Sequence, residues 1–189
     1  MPILGVIDSG KSGHLAPAAN YYSIATQTLS SGASSITFSS IPQIYSHLQL
    51  RGLMQGTYGG DNNGAASMQF NGNASAIYTR RQTTYTNGAG GIGGYAATAY
   101  TYASLGECNL IGSQTNIFGA NIWDIYDYTN TSKTKTIKCT GGTEKNGSYS
   151  EIGIFSSFWN STSAINSITI YQPNGNLATG TTIALYGVL

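Results

Sequence analysis

Apolar and polar positions alternate in short runs along most of this chain, and clusters of Gly, Asn, Ser and Asp separate the runs. A period of two lets a strand bury one face and expose the other. The runs are Ser35–Phe38, Ile44–Leu53, Ser67–Phe70, Ala76–Arg80, Thr98–Ala103, Asn121–Tyr128, Thr134–Cys139, Glu151–Phe155, Ile165–Tyr171 and Thr181–Tyr186. In the second, Ser46, Leu48, Leu50 and Gly52 share one face, and Tyr45, His47, Gln49 and Arg51 the other. The pattern predicts an all-β fold, an antiparallel β-sandwich or jelly roll of about 8–10 short strands. Helical periodicity is weak; the best candidates are one or two turns near Ile111–Phe118 or Phe158–Ala164.

The breaks carry turn chemistry. Asn87–Gly94 reads as a long flexible loop and residues 59–64 as a turn cluster, while Asn146-Gly147 and Asn174-Gly175 are hairpin-type dipeptides. The first stretch has three glycines, two prolines and no sustained pattern. Residues 1–20 are therefore expected to form an extended arm, and residues 21–189 a single β-sandwich domain. Ile3, Leu4, Val6 and Ile7 are the arm's candidate anchoring residues.

Composition narrows the function. Lys, Arg, Asp and Glu together make 8 % of the chain, against about 25 % in an average domain. Few strong helix formers argue against a bundle or coiled coil. A net charge of +1 gives no electrostatic footprint for nucleic acid or an anionic membrane, so neither is an expected partner. At 40 % hydrophobic residues, the chain has enough apolar material for a core. Ser (22), Thr (22) and Asn (15) supply a neutral surface rich in hydroxyl and amide groups. No apolar run approaches the roughly 18 residues of a membrane span. Met1–Ile7 lacks a basic leader, so no secretory signal is expected.

The chemical motifs are weak. Gly5–Ser12 matches the phosphate-loop pattern GxxxxGK[ST], but only four residues precede it and Gly13-His14-Leu15-Ala16-Pro17 does not begin a helix. Cys108 and Cys139 are too few for a structural zinc site; two thiols are favoured over a bridge, with the bridge left open. His14 lies in the arm, and His47 alternates with Tyr45, Gln49 and Arg51 as a half-exposed strand residue rather than a general base. Asp124 and Asp127, on a strand, would face opposite ways, and Glu144 with Glu151 is the other carboxylate pair considered for a glycosidase. No catalytic, metal or cofactor residue is assigned, and no enzymatic activity is expected. The asparagines of four Asn-x-Ser/Thr triplets (Asn73, Asn130, Asn146, Asn160) are chance matches in so polar a chain. Fourteen tyrosines are notable. Tyr95, Tyr100 and Tyr102 flank the Gly-rich stretch and form a candidate aromatic contact face, suited either to glycans or to sheet packing.

Three stretches carry a resemblance. They are Ser34–Gly52 (SSITFSSIPQIYSHLQLRG), Phe118–Tyr128 (FGANIWDIYDY) followed by Lys133–Thr136, and Ala164–Ile170 leading to Thr182–Gly187 (TIALYG). In this order they resemble a group of tailed-bacteriophage virion proteins, over roughly residues 21–189. The resemblance implies a β-sandwich or jelly-roll structural component, either capsid cement (decoration) or tail-associated, and brings no catalytic residues. The expectation is a cement protein on the capsid surface of the virion, assembled in the host cytoplasm. Its partners would be the major capsid protein and itself, as a homotrimer. The alternative is a tail-fibre or receptor-binding module recognising host surface glycans.

Overall fold

The computed structural model describes residues 20–58, 64–86, 91–110, 116–144 and 150–189, the side chains at 91–92 and 107–110 excepted. Twelve strands run through them: β1 (Tyr21–Thr28), β2 (Ser35–Phe38), β3 (His47–Gly56), β4 (Gly64–Phe70), β5 (Tyr78–Thr86), β6 (Gly91–Tyr100), β7 (Ala103–Leu110), β8 (Gly119–Ile125), β9 (Lys135–Glu144), β10 (Ser150–Trp159), β11 (Ile168–Tyr171) and β12 (Thr182–Val188). The all-β, antiparallel sandwich expected from the alternation is what the chain forms. The strand count rises from about ten to twelve for two reasons. Tyr21–Thr28, placed just past the arm, is the edge strand β1 on β12. The run Thr98–Ala103 is not one strand, because Thr101 and Tyr102 turn the chain between β6 and β7. No helix occurs among the described residues; Phe158 and Trp159 end β10, and residues 160–164 are irregular.

The larger sheet runs β1-β12-β3-β8-β9-β10-β5-β6, antiparallel throughout. The smaller one runs β2-β11-β4-β7. Strand β3 joins them: it pairs with β12 and β8 as far as Leu53 and Met54, then with β7 in parallel at Gln55 and Gly56. The small sheet covers part of one face of the large one, and the core lies between. From β3 to β10 the register aligns Leu50, Trp123, Cys139 and Phe155 in one buried row. The opposing layer contributes Ile36, Met68, Phe70, Leu105 and Ile170. Trp123 Nε1 donates to the Leu105 carbonyl at 3.1 Å, satisfying a buried donor across the two layers.

Beside that row lies a second inward row of small residues: Gly52, Asn121, Gly141 and Gly153. The missing side chains let β7 approach closely. A Cβ on Gly106 would stand 2.3 Å from Asn121 Oδ1 and 3.0 Å from Cys139 Sγ.

Turn chemistry explains several asparagines. Asn73 and Asn130 accept backbone N–H bonds from Ser75 (2.8 Å) and Ser132 (2.7 Å), so two of the four Asn-x-Ser/Thr triplets are Asx turns. The Gly-rich stretch is only partly what it was expected to be. Gly91–Gly94 belong to β6 and pair with β5, because a sheet edge needs backbone groups rather than side chains. Residues 87–90, 59–63 and the Asn146-Gly147 dipeptide lie outside the described residues. Asn174-Gly175 sits in a turn closed by Gly175 N–H on the Gln172 carbonyl (3.3 Å), not in a hairpin.

Tyr78 gives the core a pH limit. Its ring is buried, and its hydroxyl donates to the Asn73 carbonyl (3.0 Å) while accepting from Phe70 N–H (3.1 Å). Burial pushes its pKa up to about 12, against a smaller opposing effect from the Phe70 bond. A phenol with a raised pKa stabilises the fold fully below its unfolded pKa and loses that stability as pH rises through the folded value. Urea midpoints are therefore expected to fall between about pH 10 and 12, by about 2–3 kcal/mol from this residue. Tyr78→Phe should flatten that slope while lowering stability at pH 7; an unchanged slope would refute the assignment.

Candidate interaction surfaces

The candidate anchoring residues Ile3, Leu4, Val6 and Ile7, the phosphate-loop pattern match at Gly5–Ser12, and His14 lie outside the described residues. The tyrosines do not, and the structure gathers them. Period-two alternation would set Tyr95 and Tyr100 on opposite faces. A bulge in β6, with Ala99 at φ 63°, inserts one residue opposite Thr79 and re-aims the strand. Tyr95 then pairs with Gln82 and Tyr100 with Tyr78, on the same face. Their hydroxyls share a hydrogen bond of 2.9 Å. Tyr102 meets Tyr100 edge-on at 5.6 Å and Tyr171 at 5.9 Å. Arg80 lies 5.2 Å over the Tyr95 ring, and its guanidinium donates to Gln82 Oε1. The Tyr95 bond, more than burial, holds the Tyr100 pKa above the ordinary phenol value. Burial, with Tyr102 and Tyr78 nearby, pushes Tyr171 up to about 12. This cluster is a set of converging aromatic rings and hydroxyls that carries one cation, Arg80.

Sequence reasoning missed a second surface, the face of the large sheet turned away from the small one. Its outward residues follow from the register. One row reads Arg51, Ile122, Thr140, Ile154 and Thr83 from β3 to β5. The next reads Leu53, Ala120, Gly142, Ile152 and Tyr85. Leu53 (51 %), Ile122 (45 %), Ile152 (61 %), Ile154 (57 %) and Tyr85 (52 %) are all exposed. A hollow of about 510 Å³ opens between Leu53, Ile122 and Ile152, floored by Ala120, Thr140 and Gly142. A smaller one of about 300 Å³ lies on the other side of Ile152, beside Thr83 and Tyr85. The signal was present in the alternation as Ile152-x-Ile154 and Leu53, but the sequence does not say which face of a strand is covered.

A polar row borders this apolar field: Tyr186, Gln49, Asp124, Lys138, Ser156 and Arg81. Arg51 is held between the rings of Tyr21 (5.2 Å) and Tyr186 (5.1 Å). Its Nε donates to Gln49 Oε1 (2.8 Å), and Gln49 Nε2 donates to Asp124 Oδ1 (2.7 Å). Stacking and this relay fix an exposed cation in one orientation.

The acid and base candidates fall into two separate pairs: His47 with Asp127 (Nδ1 to Oδ1 3.7 Å), and Glu144 with Glu151, which line one hollow on the paired strands β9 and β10. Asp124 is on β8, but Asp127 lies beyond the strand's end at φ 51°, paired with Lys133 at 3.1 Å, so the reading of both on one strand is corrected. His47 is half-exposed, edge-on to Tyr126 at 5.5 Å, and its Nδ1 accepts the Asp127 N–H at 3.0 Å. Cys139 is a buried thiol whose Sγ lies 4.0 Å from Asn121 Oδ1. Among the described residues no three His, Cys, Asp or Glu side chains converge as metal ligands, and no helix is long and apolar enough to cross a membrane.

Comparison with family models, with curated proteins and with solved structures finds no match for this chain.

Proposed function

We propose that this protein is a non-enzymatic structural component of a tailed-bacteriophage virion, a cement protein that binds major capsid protein subunits on the outside of the head shell. The observation that carries the reading is the broad apolar field on the large sheet, in a chain of net charge +1. Exposed apolar area of this extent marks a protein that works by association, with its own copies or with the subunits of a shell. The resemblance of the Ser34–Gly52, Phe118–Tyr128 and Thr182–Gly187 stretches to virion proteins supplies the particular assembly. A second reading, a tail-associated module for host surface glycans, is supported by the convergence of Tyr95, Tyr100 and Tyr102 beside Arg80.

One experiment separates them. Purified protein is mixed with undecorated shells and imaged by electron microscopy, alongside a glycan array. The cement reading expects saturable density at fixed lattice positions and an empty array. Affinity should change less than about threefold over a tenfold rise in salt, because few ion pairs leave little to screen. Bare shells with array hits would replace it by the glycan reading.

A further inference from the structure

The outward face of the large sheet has a built-in self-complementarity about its central strand. Strand β9 contributes only Thr140 and Gly142 to the two apolar rows. Bulky residues stand on both sides: Ile122 and Leu53 toward β3, Ile152, Ile154 and Tyr85 toward β5. We infer that this face is a two-fold interface between two copies of the chain, with β9 on the axis.

The register defines the contacts. A two-fold axis along β9 exchanges β8 with β10 and β3 with β5. Ile152 of each copy then faces Ala120 of its mate, where the hollow of about 510 Å³ lies open to receive it. Ile154 faces Ile122, Tyr85 faces Leu53, and Thr83 faces Arg51. Ile152 thus enters the other copy's hollow, and the contact occurs twice, the arrangement an isologous interface requires, while the Ile154–Ile122 and Tyr85–Leu53 pairs meet side chain to side chain. The strands of the two sheets stay nearly aligned, as in ordinary sheet-on-sheet packing.

Area agrees with this occupant. At the rim the same axis sets Lys138 opposite its mate's Lys138, each beside the other copy's Asp124, and the row ends in Arg81. Two copies at net charge +1 repel little. From their fractional exposures, the five large side chains offer about 500 Å² per copy, and the Thr, Ala and Arg51 surface around them brings the contact toward the roughly 800 Å² per partner of a standard interface. A contact of this face with its own copy is reciprocal about a two-fold axis, so it closes as a dimer.

Light scattering and sedimentation of the full chain at micromolar concentrations test it. Wild type should have twice the 19.8 kDa chain mass. Ile152→Lys places two ammonium groups in the contact and should weaken the dimer at least about 100-fold. Ile152 is exposed in the protomer, so the variant's circular dichroism should match wild type. Thr140→Cys, on the axis, should join two copies through a short bismaleimide where wild type does not. A wild-type monomer or trimer, an Ile152→Lys dimer, or an uncrosslinked Thr140→Cys dimer each overturns the inference. A monomer whose shell binding is lost in Ile152→Lys would assign the face to the capsid subunit instead. Dimerisation and shell decoration are read separately, so either can fail without the other.

Discussion

Gly106→Val is expected to destabilise the protein by about 4 kcal/mol or more. Gly106 has φ 90°, a conformation that a β-branched residue strongly resists. Its Cβ would also overlap Asn121 Oδ1 at 2.3 Å. Asn121 cannot retreat across the sheet, since a Cβ on Gly141 would meet the same oxygen at the same 2.3 Å. The amide fills a slot between two glycines on facing strands. Valine there forces β7 off the large sheet or breaks the β8–β9 register. The measurement is a urea or thermal midpoint. Placing Gly106→Val in an Asn121→Ala background should recover part of the steric loss and none of the backbone loss. Full recovery, or none, would contradict this account.

Lys135→Met should cost about 3 kcal/mol. Lys135 begins β9 yet is wholly buried. Its ammonium donates to the carbonyls of Asn130, Lys133 (2.8 Å) and Thr162 (3.2 Å). It therefore ties the turn after β8 to the connection between β10 and β11. Methionine keeps the stem and strands three acceptors at about 1–1.5 kcal/mol each, offset in part by relief of the cation's desolvation. Burial holds the Lys135 pKa below its ordinary value, more strongly than the Asp127 carboxylate raises it. The folded state then releases this proton before the unfolded state does. Wild type should gain stability relative to Lys135→Met as pH rises toward lysine's ordinary value, the reverse of the Tyr78 effect. Equal midpoints at pH 7 would show that the three bonds contribute little, and a gap that narrows on raising the pH would show that they outweigh the burial and hold the proton.

Some elements are plain in the residues. Ser35–Phe38 is a strand with the boundaries its alternation predicts, and Leu48, Leu50 and Gly52 do turn inward together. Others are hidden for identifiable reasons. Strand β1 lacks clean alternation because it is an edge strand with exposed Tyr21 and Tyr22 and a register shift between Ser23 and Ala25, held by backbone bonds to β12. The turn at Asn71-Gly72, with φ of 53° and 65°, used an Asn-Gly pair that the spacing of apolar runs did not isolate. Lys135 reads as a surface charge in sequence, since no local signal announces three carbonyls arriving from other segments.

The candidate surfaces divide along the same line. Tyr95, Tyr100 and Tyr102 were visible as residues, but a bulge made them neighbours, and a bulge depends on pairing with β5. Ile152, Ile154, Ile122 and Leu53 were visible as strand residues of unknown orientation.

By itself, the sequence determined the class: a period of two, scarce charge and frequent turn residues allow an all-β fold with a neutral surface and little else. These are local properties, carried by each segment alone. The tertiary structure decided which face of the large sheet the small one covers, and so which alternating set became core and which stayed outside. That choice rests on contacts between distant strands, with β7 settling on the small residues of the Gly52–Gly153 row, and no segment contains it.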